Sequence, residues 1–191
     1  MARARKKATR RAGGRSARST QQDAIALLKA DHREVEQLFE QFQSTRSDSR
    51  KQSVAEKVCQ ALKVHTQIEQ EIFYPAFLET TGEKDIHHEA EVEHAGAEKL
   101  IAEIEASGPE DDYYDAKVTV LSEMIKHHVN EEEKRDGMFA KARQSRMDLK
   151  ALGDQLAKRK SELMAGAATK GPRMARPSRR QRPSTSLYIN A

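Results

Sequence analysis

Cysteine occurs once in the 191 residues, at Cys59, and tryptophan not at all. A single thiol excludes a disulfide framework and a cysteine-rich zinc site, and it makes a reducing cytoplasm the natural compartment. Aromatic residues are only 5% of the chain and β-branched runs are scarce, while charged residues make up 34%, the composition of a helical bundle. No uninterrupted apolar run approaches the roughly 18 residues of a membrane span, and no apolar signal core follows the basic start. A soluble, unexported protein without membrane contact is the expectation. The length suffices for one domain with a substantial core.

What is present in excess is charge, and its distribution is uneven. Residues 1–20 hold eight basic side chains and no acid, and residues 164–191 hold six more, again with no acid. With a net charge of +4 overall, removing those fourteen leaves residues 21–163 at −10. The sequence pI of about 9.1 therefore describes the two ends, whereas the middle is acidic. Neither end has an apolar face with which to offset chain entropy, so a disordered arm over 1–20 and a disordered Arg/Pro/Ser-rich tail over 164–191 are expected.

Between them, apolar residues recur at alternating steps of three and four, the period of an amphipathic helix. Thr20, with Asp23 three residues on, offers a capping box for a first helix carrying Ile25, Leu28, His32, Val35, Phe39 and Phe42. After a polar break at 44–49, a second helix from about 50 to the high 70s aligns Val54, Val58, Leu62, His65, Glu69 and Ile72. Pro75 is expected to kink or end it, since its ring lacks a donor and clashes with the preceding turn. A third helix over about 85–106 lines up Ala90, His94, Ala97, Ile101 and Ile104. The fourth, opened by Glu110, Asp111 and Asp112, carries Val118, Leu121, Ile125, His128 and Glu132 and is expected to run past Gly137 toward Phe139. Leu149, Leu152, Leu156 and Leu163 allow a short fifth helix over 146–163, packed weakly. Similar lengths and short breaks predict an all-α, up-down-up-down four-helix bundle over residues 21–145.

Six polar residues interrupt these apolar stripes. His65 and Glu69, and again His128 and Glu132, stand four apart, which puts imidazole and carboxylate on one helical face about 6 Å apart along the axis. His127 and Glu131 offer a competing frame, but at 100° per residue His128 and Glu132 lie nearer the centre of the apolar arc. His32 and His94 sit at comparable depth on the first and third helices. Two carboxylates and four imidazoles turned into one core need a cation, because a buried unpartnered carboxylate would otherwise neutralise or rotate outward. None of the stripes supplies an Arg or Lys. Nitrogen and oxygen donors without thiolate suit iron, manganese or zinc, and two carboxylates able to bridge favour a pair of ions, with iron first. His87 and His88 lie about 10 Å from His94 along the helix and are expected to face solvent. Tyr74, Tyr113 and Tyr114 are expected to pack rather than to bond a carboxylate, and Cys59 to serve as a small buried hydrophobe.

Residues 25–143 resemble the hemerythrin-like HHE cation-binding domain family, whose pattern is His, His-x-x-x-Glu, His, His-x-x-x-Glu across four helices. The resemblance rests on Lys29-Ala30-Asp31-His32, on His65 through Glu69 to Phe73-Tyr74-Pro75, on Val92-Glu93-His94 and on His128 through Glu132. It implies a non-haem centre of two iron ions, bridged by Glu69 and Glu132 and by oxide or hydroxide, with His32, His65, His94 and His128 as terminal ligands. Oxygen-carrying hemerythrins have a further histidine one turn before the position of His94. Here that position is Ala90, leaving water, Glu91 or nothing to serve, so the resemblance implies a sensor, scavenger or iron-handling role rather than reversible oxygen carriage. Dioxygen, peroxide or nitric oxide would be the small ligand, and peroxide-reducing or catalase-like turnover would use the same site. The alternative is a metal-free helical module that uses its basic ends to hold nucleic acid through phosphate neutralisation.

Overall fold

A computed structural model describes residues 22–169, and among them every regular element is helical. Helix α1 (Ala24–Ser44) begins at Asp23, whose carboxylate accepts the Ala26 N–H at 2.8 Å. Thr20, expected in that role, lies outside the described residues, as do the two basic ends over residues 1–21 and 170–191. Helix α2 (Asp48–Ile68) passes through a π turn (Glu69–Phe73) into α3 (Tyr74–Thr81), and Gly82 ends the run at φ +70°. Next come α4 (Lys84–Ala106), α5 (Tyr114–Glu133), a short α6 (Met138–Gln144) and α7 (Leu149–Thr169). Helix α1 packs on α2 and α5, and α4 packs on α5 and α2, so four helices close an up-down-up-down bundle. No described helix is long and apolar enough to cross a membrane.

The core is divided. One apolar cluster holds Val35, Phe39 and Phe42 of α1, Val54, Val58 and Leu62 of α2, Ile101 and Ile104 of α4, and Val118 and Leu121 of α5. A second holds Ile25, Leu28, Ile68, Phe73, Phe77, Ala90, Met138, Phe139 and Leu156. Along every bundle helix the six polar residues fall where the chain passes from one cluster to the other. His32 follows Leu28 and precedes Val35, while His65 follows Leu62 and precedes Ile68. The polar side chains therefore form a layer between two dry cores, in a region of low dielectric where an unpaired charge is costly.

Four boundaries differ from the sequence expectation, each for a local reason. Pro75 does not end the helical run. The Tyr74 N–H reaches back five residues to the Glu69 carbonyl, and this wider turn carries the chain through the proline position, so that helical structure continues to Thr81. Helix α5 does not run through Gly137 but stops at Glu133. The chain then folds back so closely that a Cβ on Gly137 would stand 2.2 Å from the Glu131 carbonyl oxygen, a space only glycine leaves open. Glu110, Asp111 and Asp112 lie in the turn before α5, where Asp111 accepts the Tyr113 N–H at 2.9 Å, rather than in its first turn. Finally, α7 extends to Thr169, beyond the expected end at 163. It is firmly seated: Leu156 is fully buried, and a Cβ on Gly153 would meet the Gln22 carbonyl oxygen at 2.4 Å.

Candidate metal centre

The folded chain brings all six predicted donors together. His32, His65, Glu69 and Glu132 present ligand atoms within 4.8 Å of one another, and Glu69, His94 and His128 form a second such group. Glu69 belongs to both. It is fully buried, and the other five are no more than 5% exposed. From Glu69 Oε2, His65 Nε2 lies at 3.2 Å and His94 Nε2 at 3.4 Å. From Glu132 Oε2, His32 Nε2 lies at 3.4 Å and His128 Nε2 at 3.8 Å. The two glutamates thus each stand between histidines of different helices, Glu69 where α2 packs on α4 and Glu132 where α1 packs on α5.

Three of the four imidazoles have a carboxylate behind them. His32 Nδ1 donates to Glu133 at 2.8 Å and His128 Nδ1 donates to Glu93 at 2.7 Å. His65 Nδ1 faces Asp31 at 3.6 Å, and Asp31 is itself held by Lys160 of α7 at 2.6 Å. Where a carboxylate accepts from Nδ1, the tautomer is set and the Nε2 lone pair is left facing the centre, which also raises ligand basicity. Those backing groups were absent from the sequence reading, yet a signal for them existed. Asp31 precedes His32, Glu93 precedes His94, and Glu133 follows Glu132, and each neighbour, turned about 100° on its helix, reaches an imidazole of an adjoining helix.

The donor set fits a pair of cations. Two imidazole nitrogens bound near 2.1 Å to one ion, roughly at right angles, stand about 3 Å apart. His32 and His65 bring their Nε2 atoms to 3.1 Å, and so do His94 and His128. Glu69 Oε1 and Glu132 Oε2 are buried and accept no hydrogen bond, an arrangement that proteins rarely tolerate unless something else is bound there. Without a cation the electrostatics are divided against themselves. Burial, together with the charge of Glu132, pushes Glu69 well above the usual carboxylate range. Burial acts on Glu132 too, but the His32 imidazole 3.4 Å away and the other neighbouring imidazoles hold it down to about 2. Burial and the adjacent His128 bring His94 down to about 3, so its nitrogen stays available to a metal.

Tyr74 is not the packing residue expected from the sequence. Its hydroxyl donates to Glu132 at 3.1 Å and lies 3.3 Å from His94 Nε2 and 3.5 Å from Glu69. The π turn is the cause. In a regular helix, position i+4 from Glu69 would share its face, but the extra residue in the turn hands that face to Tyr74 at i+5. Tyr113 is exposed, and Tyr114 packs against Phe42 as expected. His87 does not face solvent: its side chain is 12% exposed and its ring meets Tyr74 edge-on, with centroids 5.9 Å apart. His127 lies outside the centre, 3.2 Å from Glu93. Glu91 pairs with His87 on the surface and does not replace the absent histidine at Ala90, which is buried. Cys59 is buried, and burial raises its thiol to about 12, consistent with a packing role.

Comparison with known proteins agrees with this geometry. The model of the hemerythrin HHE cation binding domain matches residues 23–140. The fold is similar to that of a hemerythrin HHE cation binding domain-containing protein from Mycobacterium kansasii, with a TM-score of 0.69 and 21% identity, over 81% of this chain and 95% of that one. Among curated proteins the chain is 26% identical over 107 residues to a DNA nickase from Nostoc sp.. That match covers 56% of this chain but 30% of the relative, so the chain spans under a third of the relative's length. With four helices, two His-x-x-x-Glu pairs and a family match across the whole bundle, the chain belongs to the hemerythrin HHE cation-binding domain family.

Proposed function

We propose that the chain is a non-haem di-iron protein that binds or reacts with dioxygen, peroxide or nitric oxide, as a sensor or scavenger, or handles iron. The observation that carries this reading is the asymmetry of the two donor groups. One has four donors and the other three, and the poorer group joins Glu69 to one histidine each from α4 and α5, with Ala90 one turn before His94. Fewer protein donors leave a position for an exchangeable ligand. A pocket of about 10 Å³ bounded by His32, His65, His94 and His128 has room for a guest no larger than a water-sized molecule. A wider cavity of about 290 Å³ reaches His32 between α1 and α5, past Phe39, Ile125 and Val129.

Bound as a pair, iron would supply one-electron chemistry and open coordination positions for such ligands. The protein's own part is positioning and proton control. Glu133 and Glu93 orient the imidazoles of His32 and His128, and Asp31 faces that of His65; Phe139, stacked on His32 with centroids 5.7 Å apart, helps to keep water out. Tyr74 offers a hydroxyl proton within reach of Glu132. Burial and the charges of Glu132 and Glu69 push its pKa well above the ordinary phenol value, so it remains a donor at neutral pH. Aerobic exposure of the anaerobically reduced, iron-loaded protein should produce new near-ultraviolet and visible absorption. An unchanged spectrum would contradict the reading.

A second reading concerns the ends and adds to the first. Fourteen basic residues on the two ends suit non-specific phosphate binding, and the likeness to a protein named DNA nickase favours nucleic acid over a purely solubilising role. The full chain should bind duplex DNA in a strongly salt-dependent manner, and a chain reduced to residues 22–169, with its acidic surface, should not. Equal retention of both on DNA at physiological salt would remove the ends from this role.

A further inference from the structure

A second cavity, of about 220 Å³, opens beside Ala90 between α4 and the turn that follows α5. Its charged lining is five carboxylates (Glu89, Glu93, Glu131, Glu132 and Asp136) against two lysines. Both lysines are engaged, Lys134 with Glu131 and Lys141 with Glu83. A concave, acidic wall concentrates cations and repels anions. Two of the carboxylates, Glu89 and Glu93, also present ligand atoms within 4.8 Å of each other and of the exposed His127 beside the cavity. Deep in the same lining is Glu132, 2% exposed, whose Oε2 accepts no hydrogen bond. Glu93 joins the two places, since one oxygen lies 3.2 Å from His127 Nε2 and the other accepts from His128 Nδ1 at 2.7 Å.

We propose that Glu89, Glu93 and His127 form a capture site for a divalent cation at the mouth of this acidic cavity, from which the ion passes inward to Glu132. One imidazole and two carboxylates suit Fe²⁺, Mn²⁺ or Zn²⁺. Partial exposure and only three protein donors keep the hold weak, as an entry site requires. Ala90 is what leaves the route open: a large side chain there would stand in the cavity, next to Glu132. The same missing histidine that opens a coordination position thus also opens a path for the metal. The inference rests on the buried centre holding metal, but not on any reaction with oxygen.

The test uses the full-length chain, stripped of metal and reloaded anaerobically with Fe²⁺. The double variant Glu89→Gln/His127→Gln leaves the buried donors and the Glu93–His128 bond untouched. It should fill about tenfold more slowly than wild type and reach the same final iron content. Glu103→Gln, an exposed residue elsewhere on α4, changes the net charge equally and should fill at the wild-type rate. Titration of the iron-filled protein with Mn²⁺, followed by electron paramagnetic resonance, should show one weakly held ion per chain that the double variant lacks. Filling at the wild-type rate, or unaltered Mn²⁺ binding in the double variant, would overturn the capture site alone. A wild-type chain that holds no ion at equilibrium would overturn the buried centre and the relay together.

Discussion

Glu69→Gln is expected to empty both metal positions, taking iron from about two ions per chain to near none, whereas Glu132→Gln should retain about one. Glu69 is the donor common to the two groups, whereas Glu132 Oε2 stands nearer His32 Nε2, at 3.4 Å, than His128 Nε2, at 3.8 Å. Glutamine keeps the volume and one acceptor oxygen but not the charge that balances two cations. The same substitution should do little harm to the metal-free fold. Burial and the charge of Glu132 raise the Glu69 pKa far above its ordinary 4.5, so that in the metal-free chain the native state holds a proton that the unfolded state releases. The stability that Glu69 contributes is therefore full below about pH 4.5 and declines as pH rises toward its native value. Glutamine, neutral in both states, removes that decline. Metal-free Glu69→Gln should accordingly be at least as stable as metal-free wild type at neutral pH. Elemental analysis and thermal melts on the same samples separate loss of binding from loss of folding. Retention of both ions by Glu69→Gln would refute the shared-ligand geometry.

Removing the metal from the wild-type chain should lower its melting temperature by roughly 15–30 °C. Each ion held a thousandfold above its dissociation constant contributes about 4 kcal/mol, and in a chain of this size each kcal/mol is worth about 2–4 °C. The metal-free centre also retains buried acceptors with no partner at Glu69 Oε1 and Glu132 Oε2, each costing about 1–3 kcal/mol. Restoring Fe²⁺ anaerobically should recover the loss. Mg²⁺ should not, since it prefers all-oxygen, hydrated sites over imidazole. A fall of less than about 5 °C on chelation would mean that the polar layer is satisfied without cations, and the centre would lose its stabilising role.

How much of this was legible beforehand can be traced residue by residue. His65 with Glu69, and His128 with Glu132, were readable because a spacing of four is a statement about direction on a helix. Their apolar neighbours then said which way that direction points. The choice of His128 over His127 followed from the same arc, and the structure places His128 in the core and His127 at the surface. Tyr74 was not readable. A π turn inserts one residue into the helical count, and nothing in the apolar period announces it, so the stripe read onward from Glu69 to Ile72 leaves Tyr74 to packing. Gly137 was likewise opaque as a lone glycine. Its necessity comes from carbonyls of the preceding helix end that approach only after the chain has turned back.

The sequence by itself determined the class of fold and the six inward polar residues, because periodicity and pair spacing are local properties that every helix must obey. Only the tertiary structure decided which donors are shared, which carboxylate backs which imidazole, and where cavities reach the centre. Those depend on contacts between helices distant in sequence: Glu133 with His32, Glu93 with His128, Lys160 with Asp31. Their energies are set by mutual distance in a medium of low dielectric, and that distance comes into being only when the bundle closes.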